Sequence, residues 1–195
     1  MYRKCFKRIF DLIASMAALP FWLAMLLVLG PAIHFEDSGT VFYNAPRLGR
    51  NGRIFKMYKF RTMKMDAPDI RNEDGSTFNA ADDPRLTRIG RIIRAASIDE
   101  TPQILNVLKG EMSIIGPRPD LPEDMRLYSD YQKKRLAVRP GITGYSQAYF
   151  RNAATQDEKF SNDAYYAEKL TLLFDLKILI KTISSVLKRE NIYKN

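Results

Sequence analysis

The sequence predicts a mostly helical α/β fold with a small β-hairpin, preceded by an apolar segment that enters a membrane. The chain has 195 residues, of which 46% are hydrophobic and 27% charged, so it can bury the core of one ordinary domain. Residues 12–33 contain no charged side chain. Two strand-like runs follow, and helical spacing of apolar residues dominates the remainder. We therefore expect a membrane segment at residues 1–36 and a domain at residues 37–195.

The composition indicates an anionic partner and excludes two kinds of site. There are 31 Lys and Arg against 22 Asp and Glu, a formal net charge of +9. Such a surface attracts nucleic acid, phosphorylated metabolites or anionic lipid, and the charge alone does not choose among them. Cys5 is the single cysteine, so an intramolecular disulfide framework is excluded. The single histidine, His34, excludes a zinc site built from His and Cys.

The apolar stretch is long enough to cross a membrane, since its 22 residues extend about 33 Å as a helix. The flanking charges, which place the N-terminus in the cytoplasm, are Arg3, Lys4, Lys7 and Arg8 before it and Glu36 and Asp37 after it. Gly30-Pro31 is a poor cleavage context, which argues against a signal peptide. Pro20 favours a break, because it lacks an N–H and clashes with the preceding turn. Two topologies remain open: a hairpin that returns to the same side, or a spanning helix that tolerates Pro20.

The next segment has the pattern of a β-hairpin. The predicted strands are residues 41–43 and 54–60, with Gly49 and Asn51-Gly52 in the turn region between them. Between Asp37 and Asp66 the chain has seven basic residues and no acidic one. We expect most of these to face lipid headgroups and Lys59 to contact a substrate phosphate.

A polar loop and a basic amphipathic helix follow the hairpin. Residues 66–84 are rich in Asp, Asn, Gly and Pro, which indicates a loop. Beyond it, apolar residues recur at helical spacing and basic residues occupy the remaining face. The apolar set is Leu86, Ile89, Ile92 and Ile93, and the basic set is Arg85, Arg88, Arg91 and Arg94. Such a helix lies either at the protein surface or at the membrane interface.

A second helix should begin at Ser97-Ile98-Asp99-Glu100, which fits the S-x-x-E start signal, and should end at Gly110. This arrangement places Asp99 and Glu100 at the positive end of the helix, where carboxylates commonly serve as caps. After it, two prolines hold Arg118 in an extended backbone, which suits bidentate recognition of phosphate. Arg139 stands in a similar setting beside Pro140 and Gly141 and is a further phosphate candidate.

The C-terminal stretch, residues 163–189, should form one or two amphipathic helices, because eleven apolar residues alternate with Lys and Arg. These helices either pack on the domain or lie on the headgroups.

Taken together, the motifs resemble the small monotopic phosphoglycosyl transferases of bacteria, the PglC-like bacterial sugar transferases. The residues that carry the resemblance are Lys7-Arg8-Ile9-Phe10-Asp11, residues 55–63, 97–103 and 106–110, Gly116-Pro117-Arg118-Pro119, Arg139-Pro140-Gly141-Ile142-Thr143-Gly144 and Arg151-Asn152-Ala153. Their order and number cover nearly the whole chain. The resemblance implies transfer of a phosphosugar from a UDP-sugar to polyprenyl (undecaprenyl) phosphate, with release of UMP, through a covalent aspartyl intermediate. That reaction is the first membrane step in the assembly of O-antigen, capsule, exopolysaccharide or glycoprotein glycans.

The resemblance also implies a set of site residues. The catalytic dyad falls on Asp99 and Glu100, which would also hold Mg²⁺, and the phosphate-binding arginines fall on Arg94 and Arg118. This suits the chemistry, since a carboxylate nucleophile that meets a diphosphate needs cations beside it. Further pocket candidates are Asp163, Arg151 and Asn152. Tyr149-Phe150 stands where relatives often carry Asn-Gly, which leaves the sugar open.

The implied location is the cytoplasmic face of the bacterial inner membrane, because the donor is cytoplasmic. This favours the re-entrant hairpin with its break at Pro20, although the family commonly has Ser-Pro where this chain has Leu19-Pro20. The implied partners are the UDP-sugar, polyprenyl phosphate and membrane lipids, with no nucleic acid; a homo-oligomer is left open. The alternative is a membrane-anchored basic protein that binds RNA or lipid without catalysis, in which Asp99 and Glu100 only cap a helix.

Overall fold

The computed structural model describes residues 2–70, 78, 80, 83–150 and 153–187. Its longest element is helix α1, Lys7–Asp37, which follows a π-helical turn at Tyr2–Phe6. The helix is long and apolar enough to cross a membrane. It continues through Pro20 and Pro31, so the break predicted at Pro20 is not seen. A proline removes a single backbone hydrogen bond, and a helix can continue past that loss.

Helix α1 has two different faces. Its buried residues, Asp11, Ser15, Trp22, Gly30 and Ile33, recur at helical spacing along one side. The opposite side exposes large apolar residues, namely Phe10, Ile13, Phe21, Leu27, Val28 and Phe35. The buried side contacts the domain near both ends of the helix, through Asp11 at one end and Ile33 at the other.

The predicted β-hairpin is confirmed, with a first strand longer than expected. Strand β1, Phe42–Leu48, pairs antiparallel with β2, Ile54–Phe60, and a 3₁₀ turn at Arg50–Gly52 connects them. Asn51 and Gly52 have positive φ angles, as this turn requires. A second pair is parallel and was not predicted: β3, Ser113–Ile115, lies beside β4, Gly141–Thr143.

Helix α2, Arg88–Ala95, confirms the basic amphipathic helix but shortens it. Thr87 caps its start by accepting a hydrogen bond from the Gly90 N–H. Arg85, predicted on the exposed basic face, instead lies before the helix, buried in an ion pair with Asp83 at 2.7 Å. Ile93 is buried and Ile92 is exposed.

The helix start predicted at Ser97 is wrong in detail. Ser97 has a φ of 56° and makes no capping hydrogen bond, and residues Ile98–Gln103 form a 3₁₀ helix. Pro102 has no N–H to donate to the Ile98 carbonyl, and the Thr101 hydroxyl donates to that oxygen instead, at 2.8 Å. The α-helix proper, α3, is Ile104–Lys109, and it ends at Gly110 as predicted.

The C-terminal part contains a short helix α4, Tyr145–Tyr149, and two longer ones, α5, Gln156–Lys169, and α6, Leu172–Leu187. The core around Ile115, Tyr166 and Ile178 joins β3, α5 and α6. Helix α6 fits both alternatives given for this region. It buries one face on the domain and exposes Leu172, Leu173, Leu176, Ile180 and Ile183 on the other.

Candidate active site

A cavity of about 1120 Å³ brings together residues from five segments that are distant in sequence. Six of the predicted site residues line it: Lys59, Arg94, Asp99, Glu100, Arg118 and Asp163. Strand β2 supplies Lys59, the end of α2 supplies Arg94, and the 3₁₀ helix supplies the two adjacent carboxylates. A cavity of this size can enclose a ligand as large as a nucleoside diphosphate sugar.

Glu100 accepts hydrogen bonds from two cationic side chains of the cavity. Its Oε1 accepts a hydrogen bond from Lys59 Nζ at 2.7 Å and another from Arg118 Nη2 at 2.9 Å. Asp99 has weaker contacts, since the nearest cation, Lys59 Nζ, lies 4.0 Å from its Oδ2. Asp99 is 8% exposed and Glu100 is half-buried. We call Lys59, Asp99, Glu100 and Arg118 the dyad cluster.

The two neighbouring carboxyls have pKa values shifted in opposite directions. Burial raises the pKa of Asp99 to about 6, although the Lys59 ammonium acts against that rise. Burial also acts to raise the pKa of Glu100, but Arg118 and Lys59 outweigh it and hold this pKa well below its ordinary value. Glu100 is thus a permanent anion that fixes two cations. Asp99 is an anion at neutral pH that is less strongly stabilised, which suits a nucleophile.

Arg118 lines the cavity from its position between Pro117 and Pro119. Its side chain is 49% exposed, so part of the guanidinium is accessible to a ligand. The neighbouring Glu100 carboxylate raises the pKa of Arg118, which therefore carries its charge at every relevant pH. Arg94 lines the same cavity from the last turn of α2.

A second group of polar residues lines the cavity next to Arg118, and its Arg135 and Asp163 are buried. Arg135 Nη2 donates to Asp163 Oδ2 at 2.6 Å and to the Arg118 carbonyl at 2.8 Å. Its Nη1 contacts the Tyr128 hydroxyl and Asp120. Burial raises the pKa of Asp163, and Arg135 opposes that rise. We call Asp120, Tyr128, Arg135 and Asp163 the buried arginine cluster.

Sequence reasoning did not identify Arg135. It is the last residue of the run Lys133-Lys134-Arg135, and a basic run usually indicates a solvated face. In the structure Lys133 and Lys134 have side chains 51% exposed, whereas the Arg135 side chain is 3% exposed. Charge type gives no signal that separates these three residues.

Arg139, predicted to bind phosphate, makes a different contact. Arg139 Nε donates to the Gly110 carbonyl at 2.8 Å, and Arg139 is absent from the described residues that line the cavity. Burial, together with the nearby Arg8 and Arg50, lowers the pKa of Arg139. Arg151 and Asn152 lie outside the described residues.

The donor set fits Mg²⁺ held jointly with a substrate. Within the described ranges, no group of three or more His, Cys, Asp and Glu side chains is placed to hold a metal ion. A metal site formed by three or more such side chains is therefore not found among these residues. Mg²⁺ commonly takes one or two carboxylates and completes its shell with water and phosphate oxygens. Asp99 and Glu100 offer such a pair at the wall of the cavity.

Comparison with known proteins identifies the family. A family model described as bacterial sugar transferase matches residues 2–189. The chain is 41% identical over 186 residues to an uncharacterized sugar transferase, EpsL, of Bacillus subtilis, covering 95% of this chain and 89% of that protein. It is 36% identical over 198 residues to the undecaprenyl-phosphate galactose phosphotransferase of Salmonella typhimurium, covering 96% of this chain and 41% of that protein.

A third relative differs in the sugar that its name gives. The chain is 37% identical over 191 residues to the UDP-N-acetylgalactosamine-undecaprenyl-phosphate N-acetylgalactosaminephosphotransferase of Aeromonas hydrophila, covering 93% of this chain and 43% of that protein. The chain thus spans less than half the length of the Salmonella and Aeromonas relatives and most of the Bacillus one. As its motifs predicted, the chain belongs to the bacterial sugar transferase family.

Proposed function

We propose that this protein transfers a sugar 1-phosphate from a UDP-sugar to polyprenyl phosphate and releases UMP, through a covalent intermediate on Asp99. The observation that carries the proposal is the pair Asp99 and Glu100, adjacent in the chain and shifted in opposite directions in pKa, in a cavity lined by Lys59, Arg94 and Arg118. The names of the Salmonella and Aeromonas relatives supply the substrate classes. They differ in the sugar, so the sugar is left open.

The proposed reaction has two displacements at one phosphorus. An Asp99 carboxylate oxygen forms a bond to the sugar-bearing phosphorus, and the bond from that phosphorus to the bridging oxygen breaks, so that UMP leaves with the electron pair. An oxygen of polyprenyl phosphate then attacks the same phosphorus, and the bond to Asp99 breaks. The nucleophile regains its charge, and the lipid carries a diphosphate-linked sugar.

The surrounding cations make this attack feasible. A carboxylate and a diphosphate repel each other, and Arg94, Arg118 and Lys59 supply positive charge at the meeting point. Glu100 holds Lys59 and Arg118 in place by accepting a hydrogen bond from each. Bound Mg²⁺, with Glu100 and Asp99 as its protein ligands, would supply further charge for the leaving UMP oxygen.

We also propose that both ends of α1 lie on the cytoplasmic side of the inner membrane, as in a re-entrant helix, although α1 has no break at Pro20 in this structure. The support is that Arg8 and Asp11 near one end of α1, and Glu36 near the other, all contact the same domain. A straight span would separate these ends by the thickness of the bilayer. Arg3→Cys and Asp130→Cys, each in a Cys5→Ala background, should be labelled from the cytoplasmic side only. Labelling of the two positions from opposite sides would contradict this topology.

The central experiment omits the lipid acceptor. Purified full-length protein is incubated with Mg²⁺ and a panel of labelled UDP-sugars, and UMP release and intact protein mass are measured. We expect one UMP per active site and a mass increase of one phosphosugar. A protein that turns over with acceptor but never carries the adduct would favour direct transfer. Absence of UMP release with every donor and acceptor tested would favour the non-catalytic binding protein.

A further inference from the structure

Helix α1 contacts the domain through charged side chains as well as apolar ones. Arg8 donates from Nη1 to the Val107 carbonyl at 2.6 Å and from Nη2 to the Leu108 carbonyl at 3.0 Å. These carbonyls belong to the last turn of α3, and the Val107 carbonyl also accepts a hydrogen bond from the Gly110 N–H at 3.0 Å. Helix α3 directly follows the 3₁₀ helix that contains Asp99 and Glu100.

Asp11 makes the second contact, to the strand that leads to Arg118. Its Oδ1 accepts hydrogen bonds from the Ser113 hydroxyl at 3.0 Å and from the Ile114 N–H at 2.9 Å. Asp11 is 4% exposed, and a buried carboxylate is costly unless its hydrogen bonds are made. Ile114 lies in β3, four residues before Arg118.

Glu36 makes the third contact, to the helix that ends with Arg94. Its two carboxylate oxygens accept the backbone N–H groups of Arg88 at 2.5 Å and Ile89 at 3.1 Å. These are first-turn donors of α2, so Glu36 caps a helix that belongs to another part of the chain. Because a two-turn helix is rigid, fixing its first turn also fixes its last turn, where Arg94 lines the cavity.

The polar contacts of Arg8, Asp11 and Glu36 with the domain are not needed for membrane attachment. An anchor needs an apolar surface, and α1 has one on its exposed side. Arg8, Asp11 and Glu36 each satisfy backbone or hydroxyl groups of a segment that carries or adjoins a residue of the cavity. Ser15, on the same buried side, has a hydroxyl without a hydrogen-bond partner among the described residues. It therefore provides a matched control.

We propose that α1 is a positioning element of the active site: Asp11 fixes the segment that presents Arg118, and Glu36 fixes the helix that presents Arg94. The inference rests on the proposed function, in which both arginines contact the donor phosphates. Asp11 and Glu36 touch no substrate and act through the arginines. Membrane attachment and catalysis thus depend on opposite faces of one helix.

The first test does not require activity. Amide hydrogen exchange is measured on the purified full chain in detergent. Asp11→Ala should speed exchange in residues 113–118 and leave residues 88–95 unchanged, whereas Glu36→Ala should do the reverse. Asp11→Asn keeps the accepting oxygen and should resemble the parent protein, as should Ser15→Ala.

If Asp11→Ala does not fold, Ser113→Ala removes one of the two bonds and should give the same local change, smaller in size. Uniform changes over the domain, or none, would overturn the proposal.

The second test is a crossed double-mutant cycle on the rate constant of UMP release at saturating donor. Asp11→Ala should lower this rate about fivefold to tenfold in the parent and in Arg94→Ala, but should add nothing in Arg118→Ala. Glu36→Ala should lower it in the parent and in Arg118→Ala, but not in Arg94→Ala. All variants should still sediment with membranes. If Asp11→Ala and Glu36→Ala each lowered the rate constant by the same factor in the parent and in both arginine variants, their role would be generally structural, and the proposal would be overturned.

The outcomes separate this inference from the proposed function. A parent protein that releases no UMP rejects the proposed function, and the exchange pattern then still decides whether Asp11 and Glu36 fix their segments. A parent protein that is active, with both variants as fast as the parent, rejects the positioning role alone.

Discussion

The dyad cluster and the buried arginine cluster are both built from carboxylates paired with guanidinium groups, but they differ in exposure. In the first, the side chains of Arg118 and Glu100 are 49% and 20% exposed; in the second, those of Arg135 and Asp163 are each 3% exposed. Arg118 has one hydrogen-bonded carboxylate partner, whereas Arg135 directs both terminal nitrogens to protein groups. A guanidinium that is half exposed to the cavity is thus available to a ligand, whereas one that is buried, with both terminal nitrogens bonded to protein groups, holds the cavity lining together.

The largest expected effect is at the nucleophile of the dyad cluster. Asp99→Asn keeps the size of the side chain but lacks the anionic oxygen, so UMP release should fall by more than about 10³-fold, or about 4 kcal/mol. The covalent adduct should disappear from the intact mass. An adduct that persists in Asp99→Asn would move the nucleophile to Glu100 or Asp163.

Arg135 should matter more for stability than any residue of the dyad cluster. Arg135→Ala leaves Asp163 buried without its cation, so the free energy of unfolding should fall by about 3–5 kcal/mol. Chemical denaturation measures this change. Lys133→Ala is the matched control from the same basic run and should change the value by less than about 0.5 kcal/mol. Equal effects of the two variants would contradict the distinction between buried and exposed charges.

Arg118→Ala should show the opposite pattern. Loss of one charge-assisted phosphate contact should lower kcat/KM by about 10–100-fold, or about 1.5–3 kcal/mol, with little change in the melting temperature. Steady-state UMP release across donor concentrations measures this. Arg139→Ala is the comparison, because Arg139 bonds the Gly110 carbonyl and is not seen lining the cavity. A loss as large in Arg139→Ala would restore the phosphate-binding role predicted for Arg139.

The smallest expected effect separates the two carboxylates of the dyad by pH. The pKa of Asp99 is raised from 3.8 to about 6, so the folded protein binds this proton more tightly than the unfolded chain does. The resulting stabilisation is fully present below pH 3.8 and is lost as the pH rises through 6. In a buffer that contains a metal chelator, so that no cation binds Asp99, Asp99→Asn should therefore raise the free energy of unfolding at neutral pH by about 1–3 kcal/mol. At a pH below 3.8 it should change nothing.

Glu100→Gln is the control for that experiment. The pKa of Glu100 is lowered, so its ionised form stabilises the fold at neutral pH, and this contribution is lost in acid. Glu100→Gln should therefore destabilise the protein at neutral pH. The same sign for both variants would contradict the opposite pKa shifts.

Local features were predictable because they depend on neighbouring residues. The turn at Asn51-Gly52 and the end of α3 at Gly110 follow from backbone preferences of Gly and Asn. The start signal at Ser97 failed although it is also local. Pro102, five residues later, withholds the donor that an α-helical first turn needs, and a 3₁₀ helix forms instead.

The sequence by itself determined the family, the pairing of Asp99 with Glu100 and the apolar character of α1, because these are properties of residue type and order. Only the tertiary structure decided the pKa of Asp99, the burial of Arg135 and the contacts that Asp11 and Glu36 make. Desolvation and ion pairing depend on which distant segments come together in the fold. The sequence shows which side chains are charged, but it does not show which of them are buried or paired. Arg135 and Lys134 are neighbours in the chain, yet one is buried against two carboxylates and the other is half exposed.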